Sequence, residues 1–302
     1  MRSFAWFLGA VLAAGLIGAA VAYPGYELAL HLAPWAFHRV ASRIAMLLLA
    51  LELVWLCRHL GIRSKPDFGF ALPWRRYLRV ALLFGLIGVA TAAAGAAFLL
   101  GTGLRVLTDP ALLSPLWLLH LALIGLGSGI SVALLEETVF RGAMHTAIAR
   151  ESGTLAAVLL TAPLFAILHF FAKASIPADQ VTWSSGFDLL HRSFAPLSQP
   201  AAVFDSFCAW LAVGLLLSLT RALTGNIAAA VGLHAGWVLV LRMLQEGTVR
   251  GSGGTAYAGW VGRFDGLLGY WLLPWAALIG LALWHWRGRW APYASGASSS
   301  RR

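Results

Sequence analysis

Eight apolar runs of membrane-spanning length constrain the fold more than any other feature of this sequence. They lie at about 4–22, 41–57, 78–100, 113–132, 154–171, 206–223, 226–243 and 267–286. A run of about 20 apolar residues is long enough to cross a bilayer as a helix. Within lipid, the backbone must satisfy its own hydrogen bonds, which favours helices. The sequence therefore predicts an all-α fold, a polytopic transmembrane helix bundle with about eight membrane helices.

The composition agrees with a membrane protein, since 60% of the residues are hydrophobic and 11% are charged. A soluble domain has about 25% charged residues. The net charge of +10 comes mainly from Arg and Lys between the apolar runs. There they act as topology signals and contact lipid headgroups, so the lipid bilayer is the expected partner. Basic patches with interleaved aromatic residues are not seen, and we therefore expect no nucleic-acid partner.

The distribution of basic residues predicts that both termini are cytoplasmic. If the chain starts inside, 14 of the 22 Lys and Arg residues lie on the inner side, most densely in 58–79. The first run follows Arg2 and ends in Ala20-Val21-Ala22, a small-residue pattern that also occurs at signal-peptide cleavage sites. Its length favours an uncleaved anchor, and both interpretations leave the following loop outside.

Three ionisable residues interrupt the apolar sequence after the fourth run: Glu136, Glu137 and Arg141. A charge at bilayer depth costs about 2.5–3.5 kcal/mol on insertion scales, so this stretch is the first candidate for a functional site. Consecutive helical residues point about 100° apart, so the two carboxylates cannot both face one ligand. Glu137 and Arg141 have the i, i+4 spacing of an ion pair, which would leave Glu136 free. Alternatively, all three form a snorkelling helix end.

Two histidines on later runs complete the candidate site. His169 follows Phe165 by four residues, and a short turn at 151–153 predicts that its helix is antiparallel to that of Glu136. Both Glu136 and His169 then lie about 21–22 Å from the hairpin tip, where they could share a water. His234 lies about 12 Å from the end of its own helix, so the hairpin would have to project beyond the membrane.

This ordered set of motifs, Glu136-Glu137-x-x-x-Arg141, Phe165-x-x-x-His169 and a helix bearing His234, resembles the CPBP family of intramembrane proteases. That family includes the type II CAAX prenyl endopeptidases and the Abi and bacteriocin-immunity relatives. The similarity covers roughly 112–245. It implies an intramembrane endopeptidase, in a bacterial plasma membrane, that hydrolyses a peptide bond of a membrane-associated peptide or protein, with CAAX-type processing as one form of that activity.

The resemblance also implies roles for the site residues. Glu136 would activate a water together with His169, and His234 would help to stabilise the tetrahedral oxyanion. The same three side chains are the metal ligands if zinc is used; a metal-free, glutamate-type mechanism is the alternative. A carboxylate in a dry site is a competent base, and a Glu/His/His set can hold zinc, so both remain open. The supporting residues are Glu137, Arg141, Phe165 and Asn226.

Val238 departs from the family pattern, which usually has Asn or Asp four residues after the histidine of the third motif. A missing oxyanion donor costs about 10²–10³ in rate. Asn226 lies two turns before His234 on roughly the same side and is a candidate substitute. Otherwise the chain is a weak or inactive member that acts as a membrane scaffold or immunity factor. A third hypothesis is a proton-coupled transporter, because buried Glu and His also form proton relays.

Four segments are predicted from these patterns: N-terminal membrane helices of unassigned role (1–111), a catalytic core (112–245), an outer loop with the last membrane helix (246–290) and a disordered cytoplasmic tail (291–302). The outer stretches 172–205 and 244–266 are mixed polar and aromatic. Gly125 and Gly129 have the small-xxx-small spacing that permits close helix approach.

Overall fold

Helices dominate the computed structural model, which describes residues 1–108, 114–171 and 174–288. Among these residues, six helical spans are long and apolar enough to cross a membrane, and two shorter apolar helices lie where the other two were predicted. The all-α, polytopic fold is thereby confirmed; the predicted tail 291–302 lies outside the described residues. In chain order the helices are α1 (Arg2–Leu30), α2 (Phe37–His59), α3 (Trp74–Gly101), α4 (Pro115–Glu137), α5 (His145–Ser152), α6 (Thr154–Leu168), α7 (Ser185–Ser193), α8 (Pro200–Thr224), α9 (Ala228–Gly247), α10 (Ser252–Ala256), α11 (Ala258–Val261) and α12 (Leu272–His285).

The fourth predicted run is the start of a much longer helix. A π-helical segment, Thr138–Met144, joins α4 to α5, so that Pro115–Ser152 is a continuous span of 38 residues. At its start the Ser114 side chain accepts a hydrogen bond from the backbone of Trp117. At its end Gly153 has φ 86°, a conformation that glycine adopts without steric cost. α6 begins at the next residue, which confirms the tight turn predicted at 151–153.

The stretches 172–205 and 244–266, predicted to be outer, contain more regular structure in their described residues than their mixed composition suggests. α7 lies within 172–205, and α10 and α11 lie within 244–266. Two short antiparallel strands, β1 (Arg105–Leu107) and β2 (Thr248–Arg250), connect the ends of α3 and α9. Polar and aromatic residues at loop positions did not reveal these elements because short helices and strands depend on tertiary contacts more than on local pattern.

The chain divides into two compact units. The first comprises Met1–Arg63 and Ile167–Val203, in which α1 packs against α2 and α7. Its buried core includes Ala22, Tyr26 and Phe37, with the Tyr26 and Phe37 rings 5.3 Å apart and nearly perpendicular. The four-segment division drawn from the sequence stays a prediction.

The second unit comprises Ser64–Ala166 and Phe204–Arg302, and α9 is its central helix. α9 packs along both α3 and α4. The core around it contains Phe84, Phe165 and Leu233, none of which is exposed to solvent. Of the 20 residues of α9, those near its start are the most completely enclosed, which places His234 in a buried setting.

Glycines allow α9 to approach its neighbours at backbone distance. A Cβ added at Gly129 would lie 2.7 Å from the carbonyl oxygen of Ala235, and one at Gly125 would lie 3.1 Å from that of Leu239. The predicted small-xxx-small contact is thus confirmed, and its partner is α9. On the α3 side, a Cβ at Gly88 would lie 2.5 Å from the Leu233 carbonyl oxygen. The segment that carries His234 is therefore held closely from two directions.

Candidate active site

Glu137 is the centre of a buried polar network in the second unit. Its side chain is fully buried, and its Oε1 lies 3.1 Å from a guanidinium nitrogen of Arg141 and 2.9 Å from Nδ1 of His234. The first contact confirms the predicted i, i+4 ion pair. The second was not expected from the sequence, which pairs Glu137 with Arg141 alone and assigns His234 to the oxyanion. A carboxylate on Nδ1 fixes the orientation of the imidazole and leaves Nε2 for another partner.

Arg141 is fully buried and is held through both terminal nitrogens of its guanidinium, while its Nε has no hydrogen-bond partner among the described residues. Besides Glu137, it donates to the carbonyl oxygen of Gly214 at 3.0 Å. Its Cζ lies 4.3 Å from the centroid of the Phe165 ring, a cation–π contact. A buried charge is tolerated only when it is paired and hydrogen-bonded, and Arg141 meets both conditions. The Phe165 ring also lies 6.2 Å from that of His234, so it packs between the two.

Glu136 has different surroundings from its neighbour. It is partly buried, and its Oε2 is enclosed without a hydrogen-bond partner among the described residues. Its charge interacts with those of His234, Glu137 and Arg141, so it belongs to the same electrostatic cluster. An enclosed carboxylate oxygen without a partner is costly unless a water or a ligand binds it. Oε2 of Glu137 is likewise enclosed without a partner, so the two carboxylates differ in their other contacts: Glu137 binds Arg141 and His234 through Oε1, whereas Glu136 makes no hydrogen bond among the described residues.

His169 lies one residue beyond the end of α6, in the turn that follows Leu168. The sequence predicts it within the helix, in a run to 171; the helix is shorter at this end. His169 belongs to the first unit, whereas Glu136 and His234 belong to the second. The convergence of the three groups stays a prediction.

Asn226 is fully buried at the start of α9. Its amide nitrogen donates to the carbonyl of Thr224, and its Oδ1 accepts from the backbone N–H of Ala228. Both polar atoms thus hold the turn before the helix, a capping role typical of Asn. Its predicted part as an oxyanion donor is not supported by these contacts, which occupy the amide within its own turn.

Tyr77 on α3 is a residue that the sequence motifs do not reveal. It is 4% exposed, its hydroxyl is enclosed without a hydrogen-bond partner among the described residues, and it interacts electrostatically with Glu137. Its ring stacks on that of Trp74 at 5.7 Å. The only signal in the sequence is a tyrosine directly before the apolar run 78–100, which is too common to indicate a site.

A cavity of about 70 Å³ adjoins His234 and is lined by residues of α3, α8, α9 and α12 and of the segment before α12. Its walls are almost entirely apolar. Four tryptophans and Val238 contribute to them; the tryptophans are Trp210, Trp237, Trp271 and Trp275. The indole N–H groups of Trp237 and Trp275 bond to Thr91, so they hold the walls and leave the cavity apolar. The position where the family has Asn or Asp is therefore part of an apolar surface.

The arrangement offers little to a metal. No group of three or more His, Cys, Asp or Glu side chains that could hold a metal ion occurs among the described residues. Glu137 and His234 are within hydrogen-bonding distance of each other, and Arg141 places a positive charge on the same carboxylate oxygen. A cation at that oxygen would compete with the guanidinium, so the network is better suited to an ion pair than to zinc.

Residues 117–240 match the family described as type II CAAX prenyl endopeptidase Rce1-like. The matched segment contains all three motifs and agrees with the extent of the resemblance noted from the sequence. No curated protein and no solved structure matches the chain.

Proposed function

We propose that this chain hydrolyses a peptide bond of a membrane-associated peptide or protein by a glutamate-activated water. The match over residues 117–240 places it in the family of type II CAAX prenyl endopeptidases and their relatives. Such a reaction needs a base for the water, donors for the oxyanion and a place for the substrate next to both. The second unit offers residues for each of these tasks.

Glu136 is the proposed base. Its unpartnered Oε2 would accept a proton from a bound water, and the resulting hydroxide would add to the carbonyl carbon of the substrate. The protonated carboxyl would then return the proton to the leaving nitrogen. His169 is the proposed second partner of this water, and the motif order alone supports that assignment.

Glu137 and Arg141 are proposed as positioning residues. Glu137 holds Nδ1 of His234, and Arg141 pairs with Glu137 and fixes its position. With Nδ1–H donated to this carboxylate, the imidazole is held with Nε2 directed elsewhere, and Nε2 donates to the oxyanion when the ring carries both protons. Phe165 packs against both the guanidinium and the imidazole, so it maintains the spacing between them.

Tyr77 is proposed to replace the donor that Val238 lacks. Its enclosed hydroxyl has no partner and lies close enough to Glu137 to interact with it electrostatically. A tyrosine hydroxyl is a known type of oxyanion donor in enzymes. It comes from α3, outside the matched segment, so the family pattern could not include it.

The tryptophan-lined cavity is proposed to accept an apolar group of the substrate. It adjoins His234, and its walls offer dispersion contacts and little hydrogen bonding. With Val238 in place of a polar residue, an apolar group can be buried there without leaving a polar atom unpaired. This supports a substrate with an apolar side chain or lipid group near the scissile bond.

The observation that carries the proposal is the carboxylate of Glu136, which lies beside the Glu137 network and makes no hydrogen bond of its own among the described residues. The test is Glu136→Gln, measured in proteoliposomes with a quenched-fluorescent peptide that ends in a prenylated CAAX motif. We expect cleavage to be abolished while the melting temperature of the protein is kept, because the substitution removes a base and preserves shape. Glu246→Gln, an exposed glutamate on α9, is the control and should cleave normally. Unchanged cleavage by Glu136→Gln would refute the mechanism.

A second function follows from Val238 and the apolar cavity. A protein with the family's fold but a weak oxyanion site could bind a membrane peptide without cleaving it, as a scaffold or immunity factor. The same Glu136→Gln variant separates the two functions. If it retains the full biological activity of the wild type, binding rather than hydrolysis is the function.

A further inference from the structure

A second, polar cavity lies at the C-terminal end of the continuous helical span Pro115–Ser152, where α5 meets α6. It has a volume of about 300 Å³ and shares no lining residue with the tryptophan-lined cavity. His145, Thr146 and Arg150 contribute from α5, Thr154 from the start of α6, and Arg221 and Ala222 from the end of α8. None of the roles proposed above uses this cavity.

The charge of the cavity is positive. Arg150 and Arg221 both line it, and no Asp or Glu is among the described residues of its lining. Arg150 is half exposed and pairs with Asp67. Arg221 has no carboxylate partner in the described part of the chain; its Nε donates to the backbone carbonyl of Arg141 at 3.0 Å. The remaining N–H groups of that guanidinium are available to an anion.

Two buried polar atoms at this cavity lack partners. His145 is 4% exposed, and its Nδ1 makes no hydrogen bond within the described residues. The hydroxyl of Thr146, the next residue, is also enclosed and unpartnered there. Buried polar atoms are nearly always hydrogen-bonded, because leaving them unpaired costs the desolvation energy. Two such atoms at one cavity indicate a polar ligand.

The backbone adds donors to the same place. Thr154 is the first residue of α6, and the first N–H groups of a helix have no partner within it. Helix N-termini favour anions for this reason and because of the helix dipole. Since α6 has 15 residues, its dipole is well formed. Guanidinium, imidazole, hydroxyl and backbone N–H donors thus surround one cavity.

We propose that this cavity binds a phosphate group, presented by the headgroup of an anionic lipid or by a free phosphate. Arginine binds phosphate oxygens with paired N–H groups, which suits Arg221 and Arg150. The cavity lies at the ends of helices that are long enough to span a bilayer, the level at which basic pockets contact lipid headgroups. Arg221 connects it to the carbonyl of Arg141, so a bound phosphate would also stabilise the helix that carries Glu137.

The test adds a negative charge to the cavity without removing any contact. Ala222 is exposed and lines the cavity, so Ala222→Asp places a carboxylate beside Arg221, and Ala222→Asn is its neutral control of similar size. For the lipid, native mass spectrometry compares retention of phosphatidylglycerol with that of phosphatidylcholine with the same chains. For free phosphate, inorganic phosphate is titrated calorimetrically into the protein in phosphatidylcholine nanodiscs.

We expect Ala222→Asp to weaken binding about tenfold relative to Ala222→Asn, the effect of one charged hydrogen bond. A difference confined to phosphatidylglycerol identifies a lipid headgroup as the source of the phosphate, and one confined to inorganic phosphate identifies a soluble source. Equal binding by the two variants in both arms would overturn the proposal.

Arg221→Gln provides a second, independent variant, with the exposed Arg79→Gln as a control for the lost charge. Arg221→Gln should lose binding and Arg79→Gln should keep it. If both bind as the wild type does, the cavity is not the site. Melting temperatures measured without phosphate show whether each variant is folded, and the Ala222 pair carries the test if Arg221→Gln is not.

Discussion

At the scale of single residues, two adjacent carboxylates have opposite tasks. Glu137 binds Arg141 and His234 through Oε1, and Glu136 makes no hydrogen bond among the described residues. The difference arises because successive side chains on a helix point about 100° apart, so only one of them can face the core of the unit. One glutamate therefore stabilises the site, and the other is available for chemistry.

This division predicts opposite effects of the same substitution. Glu137→Gln leaves the fully buried guanidinium of Arg141 without its carboxylate, a loss of about 3–5 kcal/mol for a broken buried pair. We expect a clear fall in the melting temperature of the purified protein, measured in detergent. Glu136→Gln should melt near the wild-type temperature. Equal melting temperatures for the two variants would contradict the assignment of Glu137 as the structural member.

Tyr77 gives a second test at this scale. Tyr77→Phe removes only the hydroxyl, so we expect kcat to fall about 10²–10³-fold with little change in KM, as for the loss of one oxyanion donor. The ring stays in its stack with Trp74, and the melting temperature should be kept. Tyr270→Phe, on a loop, is the matched control. A Tyr77→Phe variant with normal kcat would remove Tyr77 from the mechanism.

The sequence could predict the Glu137–Arg141 pair because the i, i+4 spacing is a local property of one helix. It could not predict that His234 binds Glu137 in preference to Glu136. That contact depends on how α4 and α9 are rotated about their axes, and their rotation depends on packing over residues far apart in the chain. Tyr77 was missed for the same reason.

At the scale of elements, the contact between α4 and α9 depends on glycines on one face. Gly129→Ala would place a Cβ 2.7 Å from the carbonyl oxygen of Ala235, next to His234. We expect a loss of about 1–3 kcal/mol from overpacking and a lower cleavage rate, because α9 must shift. Gly127→Ala is the control, since nothing lies within 4 Å of its added Cβ. Both unfolding and cleavage are measured; equal behaviour of the two variants would contradict close packing at Gly129.

The positions of the helices could be predicted from apolar runs, but several of their ends could not. The run at 154–171 becomes a helix that ends at Leu168, and that at 113–132 continues to Ser152. Hydrophobicity indicates which residues avoid water. It does not indicate that Glu136, Glu137 and Arg141 remain helical, because their burial is made tolerable by tertiary partners.

At the scale of the whole molecule, the topology predicted from basic residues can be tested directly. Single cysteines are introduced into a cysteine-free protein and labelled with a membrane-impermeant maleimide in intact cells. Lys65→Cys and Gly288→Cys should be labelled only after the membrane is opened, because they lie on the predicted inner side. Thr102→Cys and Ser198→Cys should be labelled in intact cells, because they lie on the predicted outer side.

Ser198 tests whether α6 crosses the membrane, because α6 has 15 residues and, with the 14-residue α12, is shorter than the other predicted membrane helices. If α6 crosses the membrane, Ser198 and Lys65 are on opposite sides. Labelling of both positions under the same condition would show that α6 does not cross. The class of fold could be predicted from composition alone, whereas the grouping of 1–63 with 167–203 could not, since it joins parts distant in sequence.

Because of the π-helical segment Thr138–Met144, the relative orientation of side chains before and after it depends on the number of residues in the segment as well as on their type. A π turn contains more residues than an α turn, so the segment sets the angle between Glu136 before it and His145 after it. Deletion of one residue there would turn the following helix by about 100°. The faces of the helix before and after the segment thus keep their relative orientation only if the number of residues is unchanged. Insertions and deletions there should be tolerated far less than substitutions.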